Sequence, residues 1–336
     1  MKEASFYKKL DGNDVQCVLC PHTCRIPNQK TGICGVRKNI DGVLYSLVYG
    51  KAVAEHADPI EKKPLFNFYP GSRSYSVSTV GCNFSCLHCQ NAEISQAPRD
   101  GNVIMGSDRT PEEIVDTALA AGCSSISYTY TEPTIYFEYA YETARLASQQ
   151  GIRNVFVSNG YINREPLEQI SPYLDAANID LKGFSEKFYT TVCKAKLQPV
   201  LESIYAYRKL GIWIEITTLL IPDFNDSPDE LRQIASFIAA VGNDVPWHVT
   251  AFYPTYRLLD KPRTPVQTLL TARRIGLEAG LRYVYTGNVP GAEGENTYCY
   301  SCGNVLIKRV GFSIVENRTA DGVCPACKTP VDGSGI

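Results

Sequence analysis

The sequence predicts an α/β protein, a partial (βα)6-type open barrel carrying small Cys-rich metal-binding modules at both ends. Three observations carry that expectation. Between about residues 74 and 290, short β-branched and aromatic segments alternate with longer helical patterns, the signature of βαβ units on a parallel sheet. That span falls short of the roughly 250 residues of a complete eight-unit barrel. The 13 cysteines also partition cleanly, with four before residue 35, three between 82 and 89 and four after 298, leaving only Cys123 and Cys193.

The divisions follow in chain order. Residues 1–50 are expected to form a Cys-rich segment with a hairpin. There Val36-Arg37-Lys38-Asn39 and Val43-Leu44-Tyr45-Ser46 flank Asp41-Gly42, a type I′ turn signal. Residues 51–290 form the core, with strands expected at Ser76–Val80, Ser125–Thr129, Asn154–Val157, Asn178–Leu181, Trp213–Leu219, His248–Phe252 and Tyr283–Tyr285. Thr110-Pro111-Glu112-Glu113 combines an N-cap hydroxyl, a proline at the first helical position and a carboxylate three residues on. Ser227-Pro228-Asp229-Glu230 repeats that pattern, Thr264-Pro265-Val266-Gln267 gives a weaker version, and a further helix is expected over 135–150. A linker at 290–294 leads into a zinc-ribbon or rubredoxin-like module at 291–336, with strand-like Val305–Val315 between its cysteine pairs.

Hydrophobic residues make up 44% of the 336 and charged ones 20%, a composition that supports a sizeable core. A formal net charge of −2, without Lys/Arg runs, offers nothing to nucleic acid or an anionic membrane. No apolar stretch reaches bilayer length, and Met1-Lys2-Glu3-Ala4-Ser5 opens no signal-peptide core. Together with eleven of the thirteen cysteines reading as metal ligands, this leads to the expectation of a cytoplasmic protein.

Cys82, Cys86 and Cys89 lie in Gly-Cys-Asn-Phe-Ser-Cys-Leu-His-Cys-Gln-Asn, a C-x3-C-x2-C spacing. Iron–sulfur clusters are held by thiolates, usually one per iron, so three on one loop leave one iron open to a small molecule. Zinc prefers four ligands and C-x2-4-C pairs. At the N-terminus Cys17, Cys20, Cys24 and Cys34 supply four thiolates, suiting zinc or an auxiliary cluster. Cys299-x2-Cys302 and Cys324-x2-Cys327 form paired knuckles for zinc or iron, in a module too small to fold without its ion. Cys123 reads as core and Cys193 as an inert thiol.

The triplet, with His88 before its last cysteine, resembles the signature of radical S-adenosylmethionine (SAM) enzymes. Three flanking stretches resemble the AmmeMemoRadiSam-system radical SAM enzymes, relatives of the pyruvate formate-lyase activating enzymes: Asp58-Pro59-Ile60-Glu61-Lys62-Lys63-Pro64-Leu65, Tyr69-Pro70-Gly71-Ser72, and Gln90-Asn91 with Ile94-Ser95-Gln96. The likeness spans roughly residues 17 to 290 and departs at Asn67, where a histidine is expected.

The resemblance implies a [4Fe–4S] cluster on Cys82, Cys86 and Cys89 that cleaves SAM reductively, yielding a 5′-deoxyadenosyl radical that abstracts hydrogen from a substrate. It places His88, Thr131 and Glu132 at the cofactor, Glu132 accepting from the SAM amino group. Ser158 and Asn159 would lie against the ribose and methionine portion, Asp180 and Lys182 at the barrel mouth with Lys182 on the SAM carboxylate, and His248 as a further SAM contact. The expected partners are a low-potential electron donor (ferredoxin or flavodoxin) and Memo-like and AMMECR-like proteins. Two other functions fit the same residues: an activating enzyme for a glycyl-radical enzyme, and a non-catalytic iron–sulfur carrier or adaptor.

Overall fold

The computed structural model describes residues 1–289, 291–319 and 321–336. Its eight-stranded sheet is built from β1 (Ala54–Pro59), β2 (Arg73–Ser78), β3 (Ser125–Tyr128), β4 (Arg153–Ser158), β5 (Ala176–Asp180), β6 (Trp213–Leu220), β7 (Trp247–Ala251) and β8 (Val284–Gly287). The strands lie side by side in chain order, β2 to β8 parallel and β1 antiparallel to β2. The order does not close on itself, so β1 and β8 are free edges and the barrel is open. Between successive parallel strands run α1 (Pro111–Ala120), α2 (Phe137–Gln149), α3 (Arg164–Ile170), α4 (Leu197–Lys209), α5 (Pro228–Val241) and α6 (Val266–Glu278). Six βα units and a seventh parallel strand result. All seven expected strands are present, with the first beginning three residues earlier. The antiparallel strand β1 was not expected, because its Ala-Glu-His-Ala-Asp-Pro sequence lacks an apolar alternation.

Strand alternation sorts the two faces of the sheet. Phe156, Ile179, Ile214, Ile216 and Val249 pack outward into the main core. There they meet helix stripes such as Leu231, Ile234, Ala235 and Ile238 of α5, spaced for one helical face. The inward positions are unusually polar: Ser74, Ser76, Ser78, Ser127, Asn178 and Glu215 are all buried. Beneath them Ile60, Leu65 and Phe68 plug the barrel against Val155 and Ala176.

The helix starts behave as their chemistry dictates, with one exception. Thr110 Oγ1 accepts from the Glu113 amide at 3.2 Å while the Glu113 carboxylate accepts from the Thr110 amide at 2.7 Å, a complete capping box. Thr110→Ala is therefore expected to lower stability by about 1 kcal/mol, read as a shift in denaturation midpoint at constant slope. Ser227 likewise caps α5. Thr264, expected to cap α6, does not, and α6 starts after Pro265. Instead its hydroxyl donates to the Leu220 carbonyl at 2.5 Å and accepts from the Phe252 amide at 2.8 Å, tying the ends of β6 and β7. The 135–150 pattern resolves into a 3-10 turn at Pro133–Tyr136 followed by α2.

The outer segments are small sheets. Arg37–Ile40 and Val43–Ser46 form the expected hairpin, with Asp41 (φ 51°) and Gly42 (φ 82°) in the left-handed turn positions. At the C-terminus β9 (Thr297–Tyr298), β10 (Val305–Val310) and β11 (Ser313–Asn317) form a meander. The single strand expected over Val305–Val315 thus breaks at Gly311 (φ 59°) into a hairpin. Residue 290, where the 290–294 linker was expected to begin and the core to end, lies outside the described residues.

Candidate functional site

Active sites of such sheets gather at the carboxyl ends of the strands, and a cavity of about 460 Å³ lies there. Cys82, Cys86 and Cys89 line it, on the loop that follows β2. Backbone bonds hold this loop: the Ser85 and Leu87 amides donate to the Cys193 and Val192 carbonyls at 3.0 Å each, and the Arg257 amide donates to the Leu87 carbonyl at 3.0 Å. The Arg99 guanidinium binds the carbonyls of Cys82 and Phe84 at 2.7 Å each and that of Ile33 at 2.5 Å, so one side chain gathers three carbonyls. Gly81, at φ 102°, leaves no room for a Cβ, which would stand 2.6 Å from Val36.

The three sulfurs have polar neighbours. The Phe84 amide lies 3.3 Å from Cys82 Sγ, Asn159 Nδ2 lies 3.9 Å from the same sulfur, and Ser95 Oγ lies 3.2 Å from Cys89 Sγ. Burial and the Glu132 charge push the Cys82 thiol well up, and the Cys193 thiol together with burial does the same to Cys86. Thiols so placed need a metal's charge to ionise. Cys193, read from the sequence as an inert thiol, is buried against the loop cysteine Cys86.

All eight expected cofactor contacts, His88, Thr131, Glu132, Ser158, Asn159, Asp180, Lys182 and His248, line this one cavity. His88 is 4% exposed, its Nδ1 has no partner among the described residues, and burial lowers its imidazole to about 3. Thr131 Oγ1 is engaged by the Thr79 carbonyl (2.8 Å) and Ser78 Oγ (3.0 Å), in a turn where Tyr130 adopts φ 61°. Glu132 is buried, unlike a surface cap. Its Oε1 accepts from Thr134 N (3.0 Å), Thr134 Oγ1 (2.7 Å) and Ser158 Oγ (2.8 Å), and its Oε2 from the Asn159 amide (2.8 Å). The carboxylate therefore locks the turns after β3 and β4 together, with Oε2 keeping one acceptor position. Asn159 Nδ2 extends the network to Asn83 Oδ1 at 2.8 Å, beside Cys82.

Asp180 and Lys182 end β5 as a pair, Nζ–Oδ2 2.7 Å. Burial opposes the charge on Lys182, but the Asp180 carboxylate and the neighbouring cysteines hold its ammonium above the ordinary value. His248 occupies the opposite wall. Its Nε2 meets Glu215 Oε2 at 2.6 Å, and its ring packs on Phe66 and Tyr285. Glu215, fully buried, also accepts from the Phe66 and Asn67 amides and from Trp213 Nε1.

Sequence reasoning assigned no role to Glu215, Lys63 or Asp58. Lys63 lines the cavity, bonded to Asp58 Oδ2 at 2.7 Å and lying over the Tyr130 ring. Although burial works the other way, Lys63, Tyr130 and Lys62 hold the Asp58 carboxyl well below the usual range. A carboxylate in the middle of the apolar strand Trp-Ile-Glu-Ile was the available signal for Glu215. Asn67 faces away from the cavity, toward the C-terminal module. Its Nδ2 donates to the Asp332 carbonyl at 2.8 Å and its Oδ1 accepts from Tyr285 at 2.5 Å.

Among the described residues, Cys299, Cys302, Cys324 and Cys327 are the only group whose ligand atoms all lie within 4.8 Å of one another. Cys299–Cys327 is 3.5 Å and Cys302–Cys324 3.7 Å, near the ~3.8 Å edge of a tetrahedron with ~2.3 Å metal–sulfur bonds. The four cysteines therefore fit one tetrahedral ion. Cys17, Cys20, Cys24 and Cys34 instead surround a separate small cavity of about 20 Å³.

Residues 76–238 match the profile of the radical SAM superfamily. An uncharacterized protein of Methanocaldococcus jannaschii is 49% identical over 335 residues, covering 99% of both chains. The pyruvate formate-lyase-activating enzyme of Clostridium pasteurianum is 22% identical over 225 residues, 63% of this chain and 91% of that protein. Among solved structures, a radical SAM methyltransferase from Sphaerobacter thermophilus superposes with a TM-score of 0.52 at 16% identity, covering 68% of this chain and 71% of that one.

Proposed function

Because this chain belongs to the radical SAM superfamily and is related to the pyruvate formate-lyase activating enzymes, we propose that Cys82, Cys86 and Cys89 hold a [4Fe–4S] cluster at which SAM is cleaved reductively for hydrogen abstraction. One observation carries the reading. Three cysteines and His88 on the loop after β2, the pairs Thr131–Glu132, Ser158–Asn159 and Asp180–Lys182 at the ends of β3, β4 and β5, and His248 of β7 converge on a single cavity. When bound, the cluster supplies one electron to the sulfonium of SAM, from a low-potential donor such as ferredoxin or flavodoxin.

The chain's own residues bind, orient and exclude water. Lys182 would face the SAM carboxylate with Asp180 holding its Nζ in place, a charge-assisted contact from a partly buried pair. Glu132 presents Oε2 to the SAM ammonium and, through Ser158 and Asn159, fixes the β4 turn against the cluster loop. His88, neutral and stacked near Phe188, walls the cluster from water. His248, oriented by Glu215, stands across the cavity with Lys63. Lys182→Met should weaken SAM binding to the anaerobic protein by ~2 kcal/mol or more, about 30-fold. Isothermal titration calorimetry would check this, and an unchanged Kd would remove Lys182 from the site.

The resemblance to the AmmeMemoRadiSam group supports Memo-like and AMMECR-like partners, in a cytoplasmic setting. No helix among the described residues is long and apolar enough to cross a membrane. Residues 1–50, 51–290 and 291–336 would serve as N-terminal metal segment, catalytic core and zinc ribbon. The kinship with activating enzymes favours a second reading, in which the substrate is a backbone glycine of a partner enzyme. Anaerobic incubation with SAM, dithionite and a candidate partner tests both: a persistent glycyl radical in the partner supports activation, and 5′-deoxyadenosine without it supports the first reading.

A further inference from the structure

The four N-terminal cysteines differ from the C-terminal four in a way that bears on what they hold. Single-ion geometry needs sulfurs about 3.8 Å apart. The C-terminal set has it, whereas Cys17, Cys20, Cys24 and Cys34 are not among the groups of described residues drawn together closely enough for a single ion. They line a common cavity with Ile26, Arg37 and Asn83. Four thiols at wider spacing around a void suit an inorganic core larger than one ion, and four cysteines are the usual ligand set for such a core.

A second observation is independent of the sulfurs. Arg37 is 2% exposed and lines the same cavity. Its Nη1 and Nη2 are engaged by Glu138 (3.0 and 2.7 Å) and its Nη2 also by the Ser5 carbonyl (2.8 Å), but its Nε–H has no partner among the described residues. A buried guanidinium N–H left unpaired is costly unless something occupies the space before it. An anionic group coordinated by four thiolates would supply the acceptor.

We propose that Cys17, Cys20, Cys24 and Cys34 hold a second iron–sulfur cluster, with Arg37 Nε donating a hydrogen bond to it. The second centre stands beside the catalytic loop. His22, between Cys20 and Cys24, meets the Asn83 carbonyl at 2.8 Å, and Asn83 also lines the N-terminal cavity while bonding Asn159 beside Cys82. The inference rests on the proposed function only in taking Cys82, Cys86 and Cys89 as the ligands of a separate cluster.

The test uses full-length protein in which Cys82, Cys86 and Cys89 are all alanine, reconstituted anaerobically with iron and sulfide. Iron and acid-labile sulfide are expected to remain in equal amounts, and to vanish when Cys17→Ser and Cys20→Ser are added. A triple variant without sulfide, or with zinc that is lost on the N-terminal substitutions, overturns the proposal. That outcome would leave the catalytic reading standing, since the latter is judged by SAM cleavage in the wild type. In the same background, Arg37→Met with Glu138→Met removes the donor without stranding a buried charge. Iron and sulfide content should be retained and the reduction potential of the remaining cluster should move negative, because a lost N–H donor stabilises the reduced form less. An unchanged potential would exclude Arg37 as the cluster's partner.

Discussion

Cys86→Ala is expected to leave the reconstituted protein unable to cleave SAM, with 5′-deoxyadenosine falling by ~10³-fold or more, as when one member of a catalytic unit is removed. The reason lies in the ligand count. Three thiolates already leave one iron without a protein ligand, and two would not retain the cluster. Cys86 is the buried member of the triplet. Anaerobic incubation with dithionite followed by chromatographic measurement of 5′-deoxyadenosine decides the matter, with iron content of the variant measured alongside. Turnover at the wild-type rate would defeat the assignment of the triplet.

Arg309→Met should be the most damaging substitution for stability, at about 3–5 kcal/mol, the scale of breaking a buried ion pair. Arg309 and Glu61 are both fully buried, 3.7 Å apart. The guanidinium also donates to the Phe66 carbonyl at 2.8 Å and to Thr297 Oγ1 at 2.7 Å, and lies over the Phe66 ring. Glu61 follows the edge strand β1, while Thr297 bonds Tyr285 of the opposite edge strand β8 at 2.9 Å. Arg309, on β10 of the C-terminal module, thus bridges the two edges that keep the barrel open. Phe312, three residues on, lines the cavity. The module is therefore part of the cavity wall. Urea denaturation of the metal-loaded protein measures the cost, and a loss below about 1 kcal/mol would show that Glu61 is not stranded.

The parallel core was legible because its period-2 strands and capped helices are local signals. The triplet was legible because three soft ligands at fixed spacing have few other uses. Strand β1 escaped because its faces carry no apolar pattern, its place being set by pairing with β2. Thr264 looked like a cap on local spacing, but the distant Leu220 carbonyl competes for its hydroxyl. Glu215, Lys63 and Asp58 were missed as site groups since each acts through a partner far along the chain, or through a burial that only the closed fold creates. The polar inward face of β2 to β6 was equally hidden, because serines and asparagines in strands look like weak strand formers until the barrel surrounds them.

The most direct test of the account is the electron paramagnetic resonance spectrum of the reduced protein before and after addition of SAM. Ligation of SAM amino and carboxylate groups at the iron without a cysteine should shift the g-values of the Cys82–Cys86–Cys89 cluster, and Lys182→Met should weaken that shift. A spectrum that is the same with and without SAM would contradict the claim that this cavity brings SAM to an open iron.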